Sequence, residues 1–266
     1  PVRIVLRLIY RFCESDIVQD VIFYTKSRRI DFKTYVDWKQ HQLLMKTEFE
    51  IDVNASEATY DIQFGSLKRP THKNTSWDGA KFEVCGHKWA DVSEGGYGVS
   101  ILNDCKYGHD IHDGKMTLSL IKSGILPNPT TDQEEHFFTY ALLPHIGDYN
   151  AAYVQKEAYC LNVPAVALRM EQDGNGTFDA ASLFTLSADN VIAETVKPAE
   201  DGSGIIVRMY EDHNARTAVT LTWHTEMKRI VECDLMENEI GEAAEQIADY
   251  TFTIKPFEIK TFKICE

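Results

Sequence analysis

A long polar segment between two predicted strands is the first place in the sequence where the residue types suggest chemistry. It runs from Lys68 to Asp78 and holds a single tryptophan, Trp77. Sugar rings stack their C–H faces on aromatic side chains, and sugar hydroxyls pair with amide and carboxylate groups such as those of Asn74 and Asp78. The segment therefore fits a carbohydrate site. By composition alone, a surface loop whose tryptophan packs on the sheet is the commoner case.

A second polar loop, Leu102 to Gly114, contains residue types that can bind metal. They are His109, Asp110, His112 and Asp113. Imidazole nitrogens and carboxylate oxygens are ligands of zinc and similar ions. Neighbours on a strand alternate between its two faces, however, so only His109 and Ile111, or Asp110 and His112, would point the same way. We therefore predict no metal site in this chain.

Catalytic motifs are not evident elsewhere. The acidic run Asp132–His136 could supply the paired carboxylates of a glycosidase, but it fits the start of a solvated loop better. The sequence lacks a glycine-rich phosphate loop, a serine nucleophile elbow and a zinc-protease motif. Cys85-Gly86-His87 is better interpreted as a turn than as a thiol nucleophile with its base. No catalytic residue is predicted.

Composition excludes several classes of partner. The chain has 266 residues, with 27 Lys and Arg against 41 Asp and Glu, a net charge of −14 that opposes binding to nucleic acid. It contains no apolar run of 18 residues, so no membrane partner is expected. Its six cysteines form no CxxC pair, which predicts free thiols and a cytoplasmic location.

The elements around the two loops predict an all-β fold. Apolar and polar residues alternate with period two in short segments separated by turn-prone residues, which predicts an antiparallel sheet. The predicted strands are 2–10, 17–24, 30–38, 44–53, 58–64, 81–84, 97–102, 115–121 and 136–143, followed by 182–186, 191–196, 204–210, 218–223, 229–235, 250–254 and 258–264. One short helix is predicted over Asp148–Leu161, with Asp148 as its N-cap. A domain boundary is predicted near the glycine-rich segment 171–177.

Several motifs in order along the chain resemble a known enzyme family. They are Arg29-Ile30-Asp31-Phe32, Val36-Asp37-Trp38, Arg69-Pro70-Thr71-His72-Lys73-Asn74-Thr75-Ser76-Trp77-Asp78, His87-Lys88-Trp89-Ala90-Asp91, Gly96-Tyr97-Gly98-Val99, Leu102-Asn103-Asp104-Cys105-Lys106-Tyr107-Gly108, Phe138-Thr139-Tyr140-Ala141-Leu142-Leu143-Pro144-His145 and Pro256-Phe257-Glu258-Ile259-Lys260-Thr261-Phe262. Together they resemble the C-terminal half of a family 38 glycoside hydrolase, an α-mannosidase of the cytosolic and bacterial type. The resemblance covers essentially the whole chain.

The resemblance implies both a fold and an activity. It implies a galactose-mutarotase-like β-supersandwich over 1–170, followed by a small C-terminal β-sandwich domain over 178–266. Such enzymes remove terminal non-reducing α-D-mannose with retention, through a carboxylate nucleophile, a second carboxylate as acid/base and a zinc ion. Those groups belong to an N-terminal α/β barrel that this chain does not contain. We therefore expect the chain alone to be inactive, to bind no cofactor and to depend on zinc in that missing catalytic domain. The absence of an initiator Met and the start within a strand pattern favour a piece of a longer protein.

The resemblance also implies how the two polar loops are used. We expect both to reach the barrel and to form one substrate-binding cluster for a mannose-containing oligosaccharide. Its members would be His72, Asn74, Trp77, Asp78, Asn103, Asp104, Lys106 and Tyr107. The surface that meets the barrel should expose an apolar patch larger than the roughly 300–600 Å² of a typical monomer, unless a homo-oligomer covers it.

Two other functions stay open from the sequence. A free-standing carbohydrate-binding module of the same fold could hold sugar on the polar loops. An aldose mutarotase would need a His/Glu pair, and the histidines here lie in loops without a clear Glu partner.

Overall fold

A computed structural model describes residues 2–168 and 181–265, and these residues form almost entirely β-structure. The predicted all-β fold is therefore confirmed. They group into two compact units, which comprise the described residues of Pro1–Ile62 with Leu67–Val166, and of Gln63–Ser66 with Ala167–Glu266. The predicted boundary segment 171–177 lies outside the described residues. Within the described residues, no helix is long and apolar enough to cross a membrane.

The first unit contains two sheets and two helices. Its strands are β1 (Arg3–Phe12), β2 (Ser15–Tyr24), β3 (Ile30–Asp37), β4 (Leu44–Glu50), β5 (Glu57–Ile62), β6 (Gly65–Pro70), β7 (Val84–Cys85), β8 (Trp89–Ser93), β9 (Tyr97–Asn103), β10 (Gly108–His112), β11 (Lys115–Lys122) and β12 (Glu135–Ile146), and its helices are α1 (Ser76–Gly79) and α2 (Val154–Asn162). The larger sheet has the order β1-β2-β3-β12-β9-β8-β5-β6, and the smaller has the order β4-β11-β10-β7.

The main core of the first unit lies between these two sheets. Alternate residues of the large sheet, such as Tyr60, Ile101 and Tyr140, pack against Met116 and Leu118 of the small sheet. All five are almost fully buried. This is the arrangement of a β-sandwich, in which period-two alternation directs every second side chain inward.

Helix α2 covers the outer face of the large sheet. Trp89, Leu102 and Ala141 occupy the positions that alternate with the main core, and they pack against Val154 and Ala158 of the helix. The central strands β8, β9 and β12 are therefore buried on both faces.

The helix begins later than the sequence predicts. The carboxylate of Asp148 accepts a hydrogen bond from the backbone N–H of Ala151 at 2.8 Å, but it does so in a turn that precedes the helix. Tyr153, in the left-handed region with φ 53°, occupies the N-cap position instead and makes no side-chain cap. The N-cap assignment to Asp148 was wrong because a turn and a helix start share the same side-chain hydrogen bond.

The second unit is a smaller sandwich of two sheets. Its strands are β13 (Phe184–Leu186), β14 (Val191–Pro198), β15 (Ile205–Glu211), β16 (Thr217–Trp223), β17 (Arg229–Cys233), β18 (Ala244–Glu245), β19 (Asp249–Ile254) and β20 (Ile259–Cys265). The sheet orders are β13-β16-β19 and β14-β15-β20-β17-β18. Val219 and Leu221 of the first sheet pack against Val207, Ile230 and Phe262 of the second.

Candidate functional site

The polar segment Lys68–Asp78 follows strand β5 and begins inside strand β6. Its last residues form the one-turn helix α1, which the sequence did not predict. The Thr75 hydroxyl accepts from Asp78 N at 3.1 Å and donates to an Asp78 carboxylate oxygen at 2.7 Å. The hydrogen bond from Thr75 lowers the pKa of Asp78, so this carboxylate is ionised at neutral pH. Trp77 is 80% exposed on the same turn, and it does not pack on the sheet.

A small cleft lies where β5, β6, β7 and β10 meet this segment. We call it the Arg69 cleft. The residues that line it are Tyr60, Arg69, Pro70, Thr71, His72, Lys73, Asp78, Lys81, Glu83, Val84, His109, Asp110, Ile111 and His112. Four strands and the polar segment therefore contribute to one concave surface.

His109 forms the buried floor of the Arg69 cleft. The residue is completely buried, and neither ring nitrogen has a hydrogen-bond partner among the described residues. Its ring meets the Tyr60 ring edge-on, with the centroids 5.9 Å apart. Burial, and then the nearby charge of Arg69, lower the pKa of His109 to about 4, so the ring is neutral at pH 7.

Strand β10 places Asp110 and His112 on the opposite face from His109. Asp110 Oδ1 lies 2.9 Å from His112 Nδ1 and 3.8 Å from Lys73 Nζ. The alternation predicted for Asp110 and His112 is confirmed. The loop prediction was wrong for this stretch, because Gly108–His112 form a strand that turns into β11 at Asp113-Gly114, with both φ angles positive.

The first residues of the second loop are held by internal hydrogen bonds. The Asn103 side chain donates to His87 O at 2.7 Å and accepts from Lys106 N at 2.7 Å. Asp104 accepts from Thr139 N at 2.9 Å. Asn103 is fully buried, so its side chain braces the loop.

Lys106 and Tyr107 complete that loop. The Lys106 ammonium lies over the Phe138 ring, 4.7 Å from its centroid. The Tyr107 ring is about half exposed and lies 5.3 Å, centroid to centroid, from the His87 ring. These contacts place an exposed aromatic face at the loop surface.

The structure places the eight predicted substrate residues in more than one setting. His72 and Asp78 line the Arg69 cleft, next to which Asn74 and Trp77 are exposed. Asp104 instead lines a second cavity, together with residues such as Tyr35 and Phe137. The grouping of all eight residues into one cluster stays a prediction.

Tyr60 and Arg69 are the cleft residues that sequence reasoning missed. Arg69 was part of a recognised motif, and its guanidinium lies over the Tyr60 ring, 4.6 Å from the centroid. The period-two pattern predicts that the Tyr60 side chain points into the sandwich. It does not reveal that Arg69, from another strand, lies over the Tyr60 ring.

Metal ligands do not converge in the part of the chain that the structure describes. Among residues 2–168 and 181–265, no group of three or more His, Cys, Asp or Glu side chains could hold a metal ion. The described residues therefore do not fit a zinc site.

Two family models match the chain in succession. The model described as "Glycosyl hydrolases family 38 C-terminal domain" matches residues 1–130, and "Glycosyl hydrolases family 38 C-terminal beta sandwich domain" matches residues 190–262. The two matches together cover most of the chain.

Curated relatives match nearly the whole chain. Alpha-mannosidase G of Dictyostelium discoideum is 40% identical over 250 residues, which are 92% of this chain and 23% of that protein. Human Alpha-mannosidase 2C1 is 38% identical over 250 residues, covering 92% of this chain and 24% of the relative. The yeast Saccharomyces cerevisiae α-mannosidase is 35% identical over 266 residues, covering 90% of this chain and 24% of the relative. The chain thus spans about a quarter of the length of these relatives.

A solved structure shares the fold. The crystal structure of an α-mannosidase from Enterococcus faecalis V583 matches with a TM-score of 0.78 at 17% identity, covering 94% of this chain and 29% of that one.

Proposed function

Since the chain belongs to the C-terminal region of glycosyl hydrolase family 38, we propose that it works as the C-terminal β-domains of an α-mannosidase. The whole enzyme would hydrolyse terminal non-reducing α-D-mannose residues of an oligosaccharide. The observation that carries this proposal is the ordered match to two C-terminal models of one family. Relatives named α-mannosidases, 35–40% identical over at least 90% of the chain, support it.

The chemistry of hydrolysis would reside outside the described residues. Retaining glycosidases need two carboxylates at a fixed separation, and the family resemblance adds a zinc ion. No group of metal ligands converges in the described parts of this chain, so we assign it neither the zinc nor the nucleophile. The chain on its own is then inactive.

The polar segment would contribute to glycan contact. Trp77 is exposed beside the ionised Asp78, and the pair offers an aromatic face and a hydrogen-bond acceptor at one position. A pyranose needs both, because its C–H faces stack on the ring while its hydroxyls donate to the carboxylate.

Strand β1 would contribute to docking against the catalytic barrel. Ile4, Leu6 and Tyr10 lie on one face of this edge strand and are all exposed. Phe23, opposite Ile4 on β2, extends the apolar face. An exposed apolar face of this kind marks an interaction surface, although its size relative to a typical monomer's patch stays a prediction.

We also propose that the enzyme works in the cytoplasm. All six cysteines are free thiols, four of them exposed. Exposed free thiols persist in a reducing compartment, whereas secreted proteins usually oxidise them.

A chimera tests the proposed function. In it, this chain replaces the matching region of the Saccharomyces cerevisiae α-mannosidase, and hydrolysis of 4-nitrophenyl α-D-mannoside is measured with zinc or cobalt present. We expect the chimera to be active and the chain alone to be inactive. Turnover by the chain alone would refute the assignment, and so would a folded but inactive chimera.

Mannose titration of the chain alone, followed by tryptophan fluorescence, tests the alternative of a free-standing carbohydrate-binding module. We expect no saturable change at micromolar mannose. Micromolar affinity would favour the module instead.

A further inference from the structure

Arg69 carries a charge that the described protein does not neutralise. Its guanidinium lies over the Tyr60 ring, and its Nη1 is shielded from solvent without a hydrogen-bond partner among the described residues. No carboxylate of the described residues forms an ion pair with it. Arg69 as a whole is partly buried, and a shielded N–H group without a partner costs free energy because its hydration is lost.

The acidic residues of the same cleft are already engaged elsewhere. Glu83 lies 2.5 Å from Lys46 Nζ and accepts from the Ser119 hydroxyl at 2.7 Å. Asp110 lies close to His112 and Lys73, and Asp78 accepts from Thr75. None of these three carboxylates is available to balance the charge of Arg69.

His109 adds a second unsatisfied group to the floor of the cleft. Its ring is completely buried and both nitrogens lack a partner among the described residues, although a buried imidazole normally makes at least one hydrogen bond. In its neutral form the ring still has one N–H to donate. A water molecule could accept that hydrogen, but it would leave the charge of Arg69 uncompensated.

We propose that the Arg69 cleft binds a small oxyanion, a carboxylate or phosphate group, between the guanidinium of Arg69 and the imidazole of His109. A guanidinium donates in a planar fork that matches the oxygens of these two groups. Lys81 lines the same cleft, forms no ion pair among the described residues and adds positive charge, whereas Lys73 lies 3.8 Å from Asp110. Mannose is uncharged, so anion binding does not depend on the proposed hydrolysis, although Asp78, the proposed glycan acceptor, lines the same cleft.

The experiment follows the imidazole signals of the 266-residue chain by two-dimensional ¹H–¹⁵N NMR. Sodium phosphate and sodium acetate are titrated separately at constant ionic strength with chloride, and the His109 signals are assigned from their loss in His109→Gln. We expect at least one of the two anions to give a saturable shift of the His109 signals at millimolar concentration. The anion that does so identifies the source of the oxyanion.

Arg69→Gln and Arg11→Gln form the matched pair of variants. Each removes one guanidinium, but Arg11 is exposed on β1 beside Asp16, and it is not among the residues that line the cleft. We expect Arg69→Gln to weaken anion binding at least tenfold, since charge-assisted hydrogen bonds are lost. Arg11→Gln should leave it unchanged, with thermal melting showing that both variants fold.

Three results would overturn the proposal. They are His109 signals that neither anion shifts up to tens of millimolar, equal weakening by both variants, and a shift with mannose but not with either anion. Hydrolysis by the chimera is measured separately, so failure of the anion site and failure of the proposed function are distinguishable.

Discussion

Gly98→Ala should destabilise the first unit strongly, because two neighbouring side chains occupy the space that a Cβ atom at Gly98 would need. On β9 this residue lies opposite His145 of β12 and Ser93 of β8. A Cβ atom there would lie 2.3 Å from His145 Cε1 and 2.5 Å from Ser93 Oγ. Both distances are far below a van der Waals contact, so at least one neighbour must move.

His145, one of these two neighbours, belongs to a buried polar network. His145 Nε2 lies 2.7 Å from an Asp91 carboxylate oxygen, and its Nδ1 lies 3.1 Å from Gly147 O. The same carboxylate oxygen of Asp91 accepts from Ser100 at 2.7 Å. Moving the imidazole leaves Asp91, which is 1% exposed, without one of its partners.

The magnitude follows from two costs. Overpacking a filled site costs about 1–3 kcal/mol, and taking a hydrogen-bond partner from a buried carboxylate costs about 1–3 kcal/mol or more. Because a shift of the backbone can relieve part of either cost, we expect a loss of about 3 kcal/mol. With a urea slope of about 2 kcal/mol per molar, the unfolding midpoint should fall by about 1.5 M.

Urea unfolding monitored by tryptophan fluorescence measures this loss, since Trp38 and Trp89 are both buried in the first unit. Gly96→Ala is the matched control, because its Cβ would meet nothing within 4 Å and Gly96 has no positive φ. There we expect no loss, or a gain of about 0.4–1 kcal/mol from reduced chain entropy. Equal midpoints for the two variants would refute the reasoning.

Three further predictions concern the candidate site. Trp77→Ala in the chimera should raise KM for an oligomannoside about fivefold without lowering the melting temperature. Phe82→Ala removes a similarly exposed aromatic ring and should change neither quantity. Equal KM values for the two variants would contradict a stacking role of Trp77. His109 has a folded pKa of about 4, below its unfolded value, so the unfolding free energy should fall by about 2 kcal/mol as the pH drops from 6.5 to 5. Urea unfolding should show a weaker decline in His109→Gln. Parallel declines in the two proteins would show that protonation of His109 does not cause the loss. Asn103→Ala should cost about 2–3 kcal/mol in urea unfolding because it removes two loop hydrogen bonds, and an unchanged midpoint would assign Asn103 a role other than bracing.

The sequence predicts the strands well where one face is apolar and the other polar. In strand β3, for example, more and less buried residues alternate from Phe32 to Asp37, as the period-two pattern requires. The Asp113-Gly114 hairpin was equally readable, since both residues adopt the positive φ that such turns demand. Local rules were sufficient in these cases because the relevant contacts are near in sequence.

The floor of the Arg69 cleft could not be predicted in the same way. Tyr60, Arg69 and His109 come from three strands, and β6 and β10 belong to different sheets. A single sequence gives no information about which strands of two sheets face each other. The sequence marked His109 only as a residue type that can bind metal, and we predicted no metal site; it gave no sign of the unpartnered ring near the charge of Arg69.

Burial on both faces of the sheet determines the surroundings of Asn103, which the family resemblance assigned to the substrate cluster. Strands β8 and β9 pack against the main core on one face and helix α2 on the other, so a polar side chain in them cannot reach water. Each must be satisfied internally, as Asp91 is by Ser100 and His145, and as Asn103 is by His87 and Lys106. Burial on both faces makes the Asn103 side chain a brace for the loop, and its role in substrate binding stays a prediction. Exposed residues of the same motifs, such as Trp77 and Asn74, do not need a hydrogen-bond partner within the protein. Contact with a glycan should therefore be sought first at these residues.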